Sequence, residues 1–268
     1  MQILFYIILF ILGACLGSFL CCQARRLHLK EQKSKQKFGA RSVCLHCHYQ
    51  LKWYDNIPII SWLVLGGECR KCHHKIGIAE LLAEIGLALA FLGLGTTIDI
   101  ATTNPLAWAI FIITLLLTLS LSLLAIYDGI YGELPTKFLK SSVVLSVILL
   151  IFKEYSLISA SSFQPEYIYK PLLSVIILGG LYLALYKISK GKWVGDGDWI
   201  LGLSLGLAIY DPWLALIILF LANLLACLVM YPIVRRKKHA RIYFGPFMVI
   251  AFVVTLVFAD FFFYAIGM

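Results

Sequence analysis

Long apolar runs constrain this chain more than any other feature. Eight can be read, at roughly 2–22, 78–98, 106–126, 138–152, 171–186, 198–210, 213–233 and 245–266. A helix needs ~20 apolar residues to cross the hydrocarbon core of a bilayer. The fourth, fifth and sixth runs are short, and their ends can move by several residues. Composition agrees: 61% of residues are hydrophobic, mean hydropathy is +0.90 and only 14% are charged, against ~25% in a soluble domain. A soluble globule is excluded. The expected fold is an all-α polytopic membrane protein of about eight transmembrane helices. The first run lacks a basic lead-in and a small-residue cleavage signature, so it reads as a retained span.

The net charge of +9 invites a nucleic-acid reading, but its distribution points to topology instead. Loops 23–77, 127–140, 187–197 and 234–244 share one side of the membrane if the N-terminus lies outside. They hold 11, 2, 3 and 5 of the 23 Lys and Arg, and only Lys153 and Lys170 fall elsewhere. Basic residues concentrate in cytoplasmic loops, which places these loops in the cytoplasm and both termini outside. Arg25-Arg26, Lys187, Lys190 and Lys192, and Arg235-Arg236-Lys237-Lys238 are among them. The partner expected from this charge is the lipid bilayer, with no nucleic acid.

The first loop is the one sizeable polar piece. It carries Cys44-Leu45-His46-Cys47, then 21 residues, then Cys69-Arg70-Lys71-Cys72. Each CxxC puts two thiolates on one tight turn, and four together suit tetrahedral Zn²⁺. In the cytoplasm disulfides are rare, so metal is the better reading. The expected ligands of a structural Zn²⁺ are Cys44, Cys47, Cys69 and Cys72. His46, His48, His73 and His74 read as surface neighbours of a filled shell. Cys15, Cys21, Cys22 and Cys227 read as small buried hydrophobes. Three domains follow: a first transmembrane helix at 1–22, a cytoplasmic zinc-binding domain at 23–77, and a seven-helix membrane core at 78–268.

Between the knuckles, Trp53 to Leu63 is aromatic and apolar but broken by Asp55-Asn56 and Pro58. It reads as a segment lying in the interface or against the bundle. Gly13, Gly17 and Ser18 in the first run suit close helix packing. Glu80 and Glu84 share one helical face; they either reach water at the span's end or contact the zinc module or active site.

Two acids sit at the ends of apolar runs. Asp198 opens the sixth, directly after Gly195-Asp196-Gly197, and Asp128 closes the third before Gly129, Gly132 and Pro135. An acid inside a span is costly and by default functional. The topology, drawn from Lys and Arg alone, puts both acids at the cytoplasmic boundary. Two carboxyls brought together share a proton, so one serves as general base on water while the other polarises a carbonyl. Asp196 is the rival within its motif. Asp198 is preferred because it stands at the helix start, where Gly195 and Gly197 give the backbone freedom.

These motifs resemble bacterial type IV prepilin peptidases, the membrane aspartic peptidases of the GxGD class. Gly195-Asp196-Gly197-Asp198 is similar to the GxGD motif. Asp128, seven residues before Pro135, is similar to the family's first catalytic aspartate. Gly17-Ser18-Phe19-Leu20 with Arg26-Leu27, the paired CxxC segments around Trp53-Tyr54-Asp55-Asn56-Ile57-Pro58, and Phe244-Gly245-Pro246-Phe247 complete the resemblance. Cys21, Ile200 and Glu80-Leu81 depart from the usual residues. The resemblance implies catalytic Asp128 and Asp198 in the bacterial inner membrane. It implies removal of the basic leader of type IV prepilins or pseudopilins after a glycine, on the cytoplasmic side. It further implies N-methylation of the new terminus with S-adenosylmethionine; no residues are assigned to that cofactor.

A transporter, or a zinc-stabilised assembly scaffold, is the alternative in which the aspartates bind ions. A transporter should carry internal repeats with broken helices in both halves. Only one Gly-Asp-Gly-Asp element is present.

Overall fold

The computed structural model describes residues 2–31, 42–44, 46–160, 164–191, 194–236 and 243–267. Lys192, Lys237, Lys238 and His239 of the basic loops lie outside the described residues, as does Leu45 within the first knuckle. All regular structure among the described residues is helical, with two isolated bridges and no strand. Among the described residues, six helices are long and apolar enough to cross a membrane; a seventh span forms if one bent pair counts as one. The chain divides into two units, Met1–Gly95 and Thr96–Met268.

In the first unit, α1 (Gln2–Glu31) continues past the apolar run at 2–22. No glycine or proline interrupts residues 23–31, so the helical ladder runs on through Arg25 and Arg26. It packs on α3 (Ile78–Gly95). Small residues set the approach: a Cβ at Gly13 would lie 2.5 Å from the Leu87 carbonyl oxygen, and one at Gly17 would lie 2.7 Å from that of Ala83. Without a hydrophobic drive in lipid, such contacts are what hold two helices together. Between α1 and α3 come a 3₁₀ turn, Trp53–Asn56, and α2 (Ile60–Val64).

In the second unit, α4 (Pro105–Tyr131) is capped by Asn104, whose Oδ1 accepts the Leu106 N–H at 2.9 Å. It stops at Gly132, in the left-handed conformation with φ 71°. After Pro135 runs α5 (Thr136–Ala160). The next apolar run is α6 (Glu166–Val175), a π turn at Ile176–Gly180 and α7 (Leu181–Ser189), together one span. Then come α8 (Asp198–Ile209), α9 (Pro212–Arg236), α10 (Gly245–Val257) and α11 (Ala259–Ile266). The last two are bent by 76°.

The sequence reading of eight spans meets its clearest difference at α8. With 12 residues it is about 18 Å long, short of the ~30 Å core. Its apolarity on all sides comes from burial in protein, because α5, α6, the π turn, α7, α9 and α10 all contact it. Leu201, Leu205 and Ala208 are fully buried. Gly202 and Gly206 bring its backbone against those of Leu178 and Ser174, where a Cβ would lie 2.6 and 2.7 Å from the carbonyl oxygens. A hydroxyl pair, Ser146 and Ser204, joins α5 to α8 at 2.9 Å.

Candidate functional site

The two knuckles are built alike. In the first, the His48 N–H donates to the Cys44 carbonyl and the Cys44 N–H to the Tyr49 carbonyl; in the second, His73 donates to Cys69 and Cys69 to His74. Bridges Val43–Gln50 and Glu68–Lys75 close the two turns at the same offset. His48 and His73 take φ 54° and 53°, a left-handed conformation in which histidine is enriched among non-glycine residues. The result gathers four sulfurs within 4.8 Å of one another. Cys44–Cys72 and Cys47–Cys69 are 3.8 and 3.9 Å apart. A tetrahedron with Zn–S bonds of ~2.3 Å has S–S edges of roughly 3.8 Å, so the cage fits that ion. Backbone N–H groups of Cys72 and Lys71 hold the Cys69 thiol down, while desolvation and the neighbouring sulfurs push the Cys72 thiol up. His46, His48, His73 and His74 are exposed, and His46 stacks on His74 at 4.5 Å. They stand outside the cage, as expected for surface neighbours.

The segment between the knuckles is tied down by acids. Asp55, its side chain 1% exposed, accepts Arg70 Nε at 2.8 Å and the Lys52 N–H at 3.1 Å. Ile59 adopts φ 64°, ψ −54°, the γ-turn region, and the Ile60 N–H donates to the Pro58 carbonyl at 2.6 Å. Such a conformation costs ~1–3 kcal/mol for a β-branched residue. Glu84 of α3 offsets it by accepting the Ile59 N–H at 2.7 Å, and Ser18 of α1 bonds the same carboxylate. Glu80 pairs with Arg25. Of the two sequence readings for these glutamates, contact with the zinc module describes Glu84.

In the second unit, Asp128 and Asp198 are 6% and 8% exposed. Each carboxylate is aimed by one backbone N–H. Asp128 Oδ2 accepts from Gly245 at the start of α10, at 2.9 Å. Asp198 Oδ2 accepts from Gly195 at 2.8 Å. The loop before α8 meets the turn after α4, since a Cβ at Gly197 would lie 2.7 Å from Leu134 Cβ. Asp196 is exposed and accepts from its neighbour Trp199 Nε1 at 3.3 Å. Both expected acids are therefore buried and held by a backbone N–H, and Asp196 lies at the surface. Sequence reasoning assigned no donor role to Gly245. A Cβ there would sit 2.8 Å from Asp128 Oδ2; its signal was the Gly-Pro pair opening the last run.

Residues 11–98 match the family model described as the bacterial peptidase A24 N-terminal domain. The chain is similar to the prepilin leader peptidase/N-methyltransferase of Stutzerimonas stutzeri, 27% identical over 93% of this chain and 89% of the relative. It is similar to that of Aeromonas hydrophila, 28% identical over 82% and 72%. Over most of its length the chain is similar to prepilin leader peptidase/N-methyltransferases, and its first third matches the A24 N-terminal domain. Other relatives match over a shorter stretch. The relative in Myxococcus xanthus is 40% identical over 33% of this chain and 25% of its own length. The match to the Vibrio cholerae relative spans a third of that protein. No solved structure matches.

Proposed function

We propose that this chain is an aspartic endopeptidase of the bacterial inner membrane that removes the basic leader from type IV prepilins or pseudopilins after a glycine. The observation that carries the reading is the pair of buried carboxyls, Asp128 and Asp198, each aimed by a glycine N–H. One ionised carboxyl takes a proton from water, whose oxygen attacks the scissile carbonyl carbon. The protonated partner gives its proton to the carbonyl oxygen, so the tetrahedral intermediate is neutral. Collapse breaks the C–N bond and the amine leaves with a proton from the dyad. With the basic loops cytoplasmic, both acids act at the cytoplasmic face, where a basic leader would stand.

Names of relatives also support an N-methyltransferase activity, which we read as methylation of the new terminus with S-adenosylmethionine. In the first unit a cavity of about 110 Å³ opens beside Ser18, Arg25, Asn56, Glu80 and Glu84. That is below the ~300 Å³ of an ordinary small-molecule site, so it does not house the whole cofactor, and no methyl-transfer step is assigned to residues. The thiolate cage fits structural Zn²⁺, which would fuse the two knuckles without entering the chemistry.

The test is cleavage of a prepilin in detergent, with products read by mass. Wild type should cut after glycine, and Asp128→Asn and Asp198→Asn should each lose that activity. With S-adenosylmethionine added, the product should gain one methyl. Activity surviving in Asp198→Asn would move the role to another acid. Absence of cleavage by folded wild type would return the transporter and scaffold readings.

A further inference from the structure

Tyr182 of α7 packs against α8 and against the residue that precedes α10, and it has no assigned role. It is 3% exposed. One edge of its ring faces α8 at Gly202, where a Cβ would lie 3.2 Å from Tyr182 Cδ2. Gly202 is one helical turn beyond Asp198. On another side the ring packs on Phe244, centroids 5.4 Å apart, and Phe244 precedes the glycine that aims Asp128. The ring thus touches both elements that hold the carboxyls, and the Asp198 charge reaches its hydroxyl.

That hydroxyl is buried with no hydrogen-bond partner. The Asn223 side chain faces it, and its NH₂ also donates to the Leu219 carbonyl at 2.7 Å. A buried polar group without a partner is destabilising, and phenylalanine would fill the same volume without the penalty. Unpartnered groups of this kind call for an explanation, and a functional role is one. Fold stability traded for a donor at a reaction site is a recurrent pattern.

We infer that the Tyr182 hydroxyl is a substrate-binding donor, giving its hydrogen bond to a main-chain carbonyl of the bound peptide one or two residues from the scissile bond. The register follows from spacing. One turn of α8 separates Gly202 from Asp198 by ~5.4 Å, and an extended peptide advances ~3.3–3.6 Å per residue. The recognised chemistry is therefore an extended peptide backbone beside the cleavage point, independent of side-chain identity. The inference rests on the peptidase reading.

The experiment compares Tyr182→Phe with wild type in prepilin cleavage. It also compares Tyr182→Phe/Asp198→Asn with Asp198→Asn alone in binding of uncut prepilin. Thermal midpoints are recorded for all four. The expected result is about a tenfold fall in kcat/KM, the weight of one hydrogen bond. Binding in the Asp198→Asn background should weaken similarly, with a midpoint equal to or above its parent. Unchanged kcat/KM and binding would overturn the inference while leaving the peptidase standing. So would a lowered midpoint matched by Asn223→Leu, which would make the hydroxyl a structural partner of Asn223. If wild type cuts no prepilin while both aspartate variants bind it normally, the peptidase reading falls, and this inference with it.

Discussion

Gly245→Ala tests whether backbone aim, beyond the mere presence of two acids, sets the rate. The added methyl would sit 2.8 Å from Asp128 Oδ2, where ordinary contact begins at 3.4 Å. The carboxylate must retreat by about 0.6 Å, stretching its bond to the Gly245 N–H from 2.9 Å to about 3.5 Å, the outer edge of a hydrogen bond. Losing a hydrogen bond to a charged acceptor costs ~1.5–3 kcal/mol. Misplacing a reacting group by ~1 Å costs up to ~10²-fold in rate. The expected fall in kcat is therefore roughly 10- to 100-fold, with prepilin binding in the Asp198→Asn background nearly unchanged. Gly129→Ala is the control, because its Cβ would meet only Pro246 Cγ at 3.5 Å; it should keep wild-type kcat. Prepilin turnover by mass spectrometry, with thermal midpoints, reads both variants. Wild-type kcat in Gly245→Ala would refute the argument, as would an equal loss in Gly129→Ala.

Two further expectations concern the first unit. Purified protein should carry one zinc per chain by elemental analysis, and Cys72→Ser should lose it, since three thiolates leave the tetrahedron open; unchanged zinc would remove the four-thiolate assignment. Gly17→Ala should lower the thermal midpoint, because its Cβ would lie 2.7 Å from the Ala83 oxygen and 2.8 Å from the Glu84 Cα, an overpacking cost of ~1–3 kcal/mol. Gly86→Ala, with open space around its Cβ, should be neutral, and equal effects of the two would sink the packing argument.

What could be read from the chain in advance was whatever depends on local chemistry. Apolar runs are legible because lipid punishes any other backbone. The thiolate cage is legible because each CxxC closes within its own turn, so only one tertiary step, the meeting of two turns, was left to supply. Asp128 and Asp198 are legible as misfits among apolar neighbours. What stayed hidden was set by partners distant in sequence. The N–H that aims Asp128 comes from residue 245, and the acceptor that holds strained Ile59 comes from Glu84. The π turn at Ile176–Gly180 reads as ordinary helix in sequence; its reason is the passage of α8, where Gly179 lets the Leu203 backbone approach, a Cβ there lying 3.0 Å from Leu203 Cα. The length of α8 was hidden for a related reason. An apolar helix buried in protein and one buried in lipid have the same composition.

That short helix explains why an acid can occupy its first position. A span of full length leaves both ends in water, where orphan N–H and C=O groups are solvated. Ending after 12 residues, α8 must have both ends satisfied by protein. At its start the Asp198 carboxylate lies at the positive end of the helix dipole, which favours a negative charge there by ~0.3–1 kcal/mol or more when partly buried. At its finish the Ala208 carbonyl accepts Lys153 Nζ at 2.8 Å, a cation at the negative end. Lys153 is one of only two Lys and Arg outside the four basic loops, and this bond gives it a reason to be there. Tyr210, at φ 69°, and Asp211, which accepts the Trp213 N–H at 2.9 Å, then turn the chain directly into α9. The helix is thereby fixed at both ends and packed on every side by the elements named above. Asp198 is held by a rigid element, so a shift of its carboxyl requires repacking of α8.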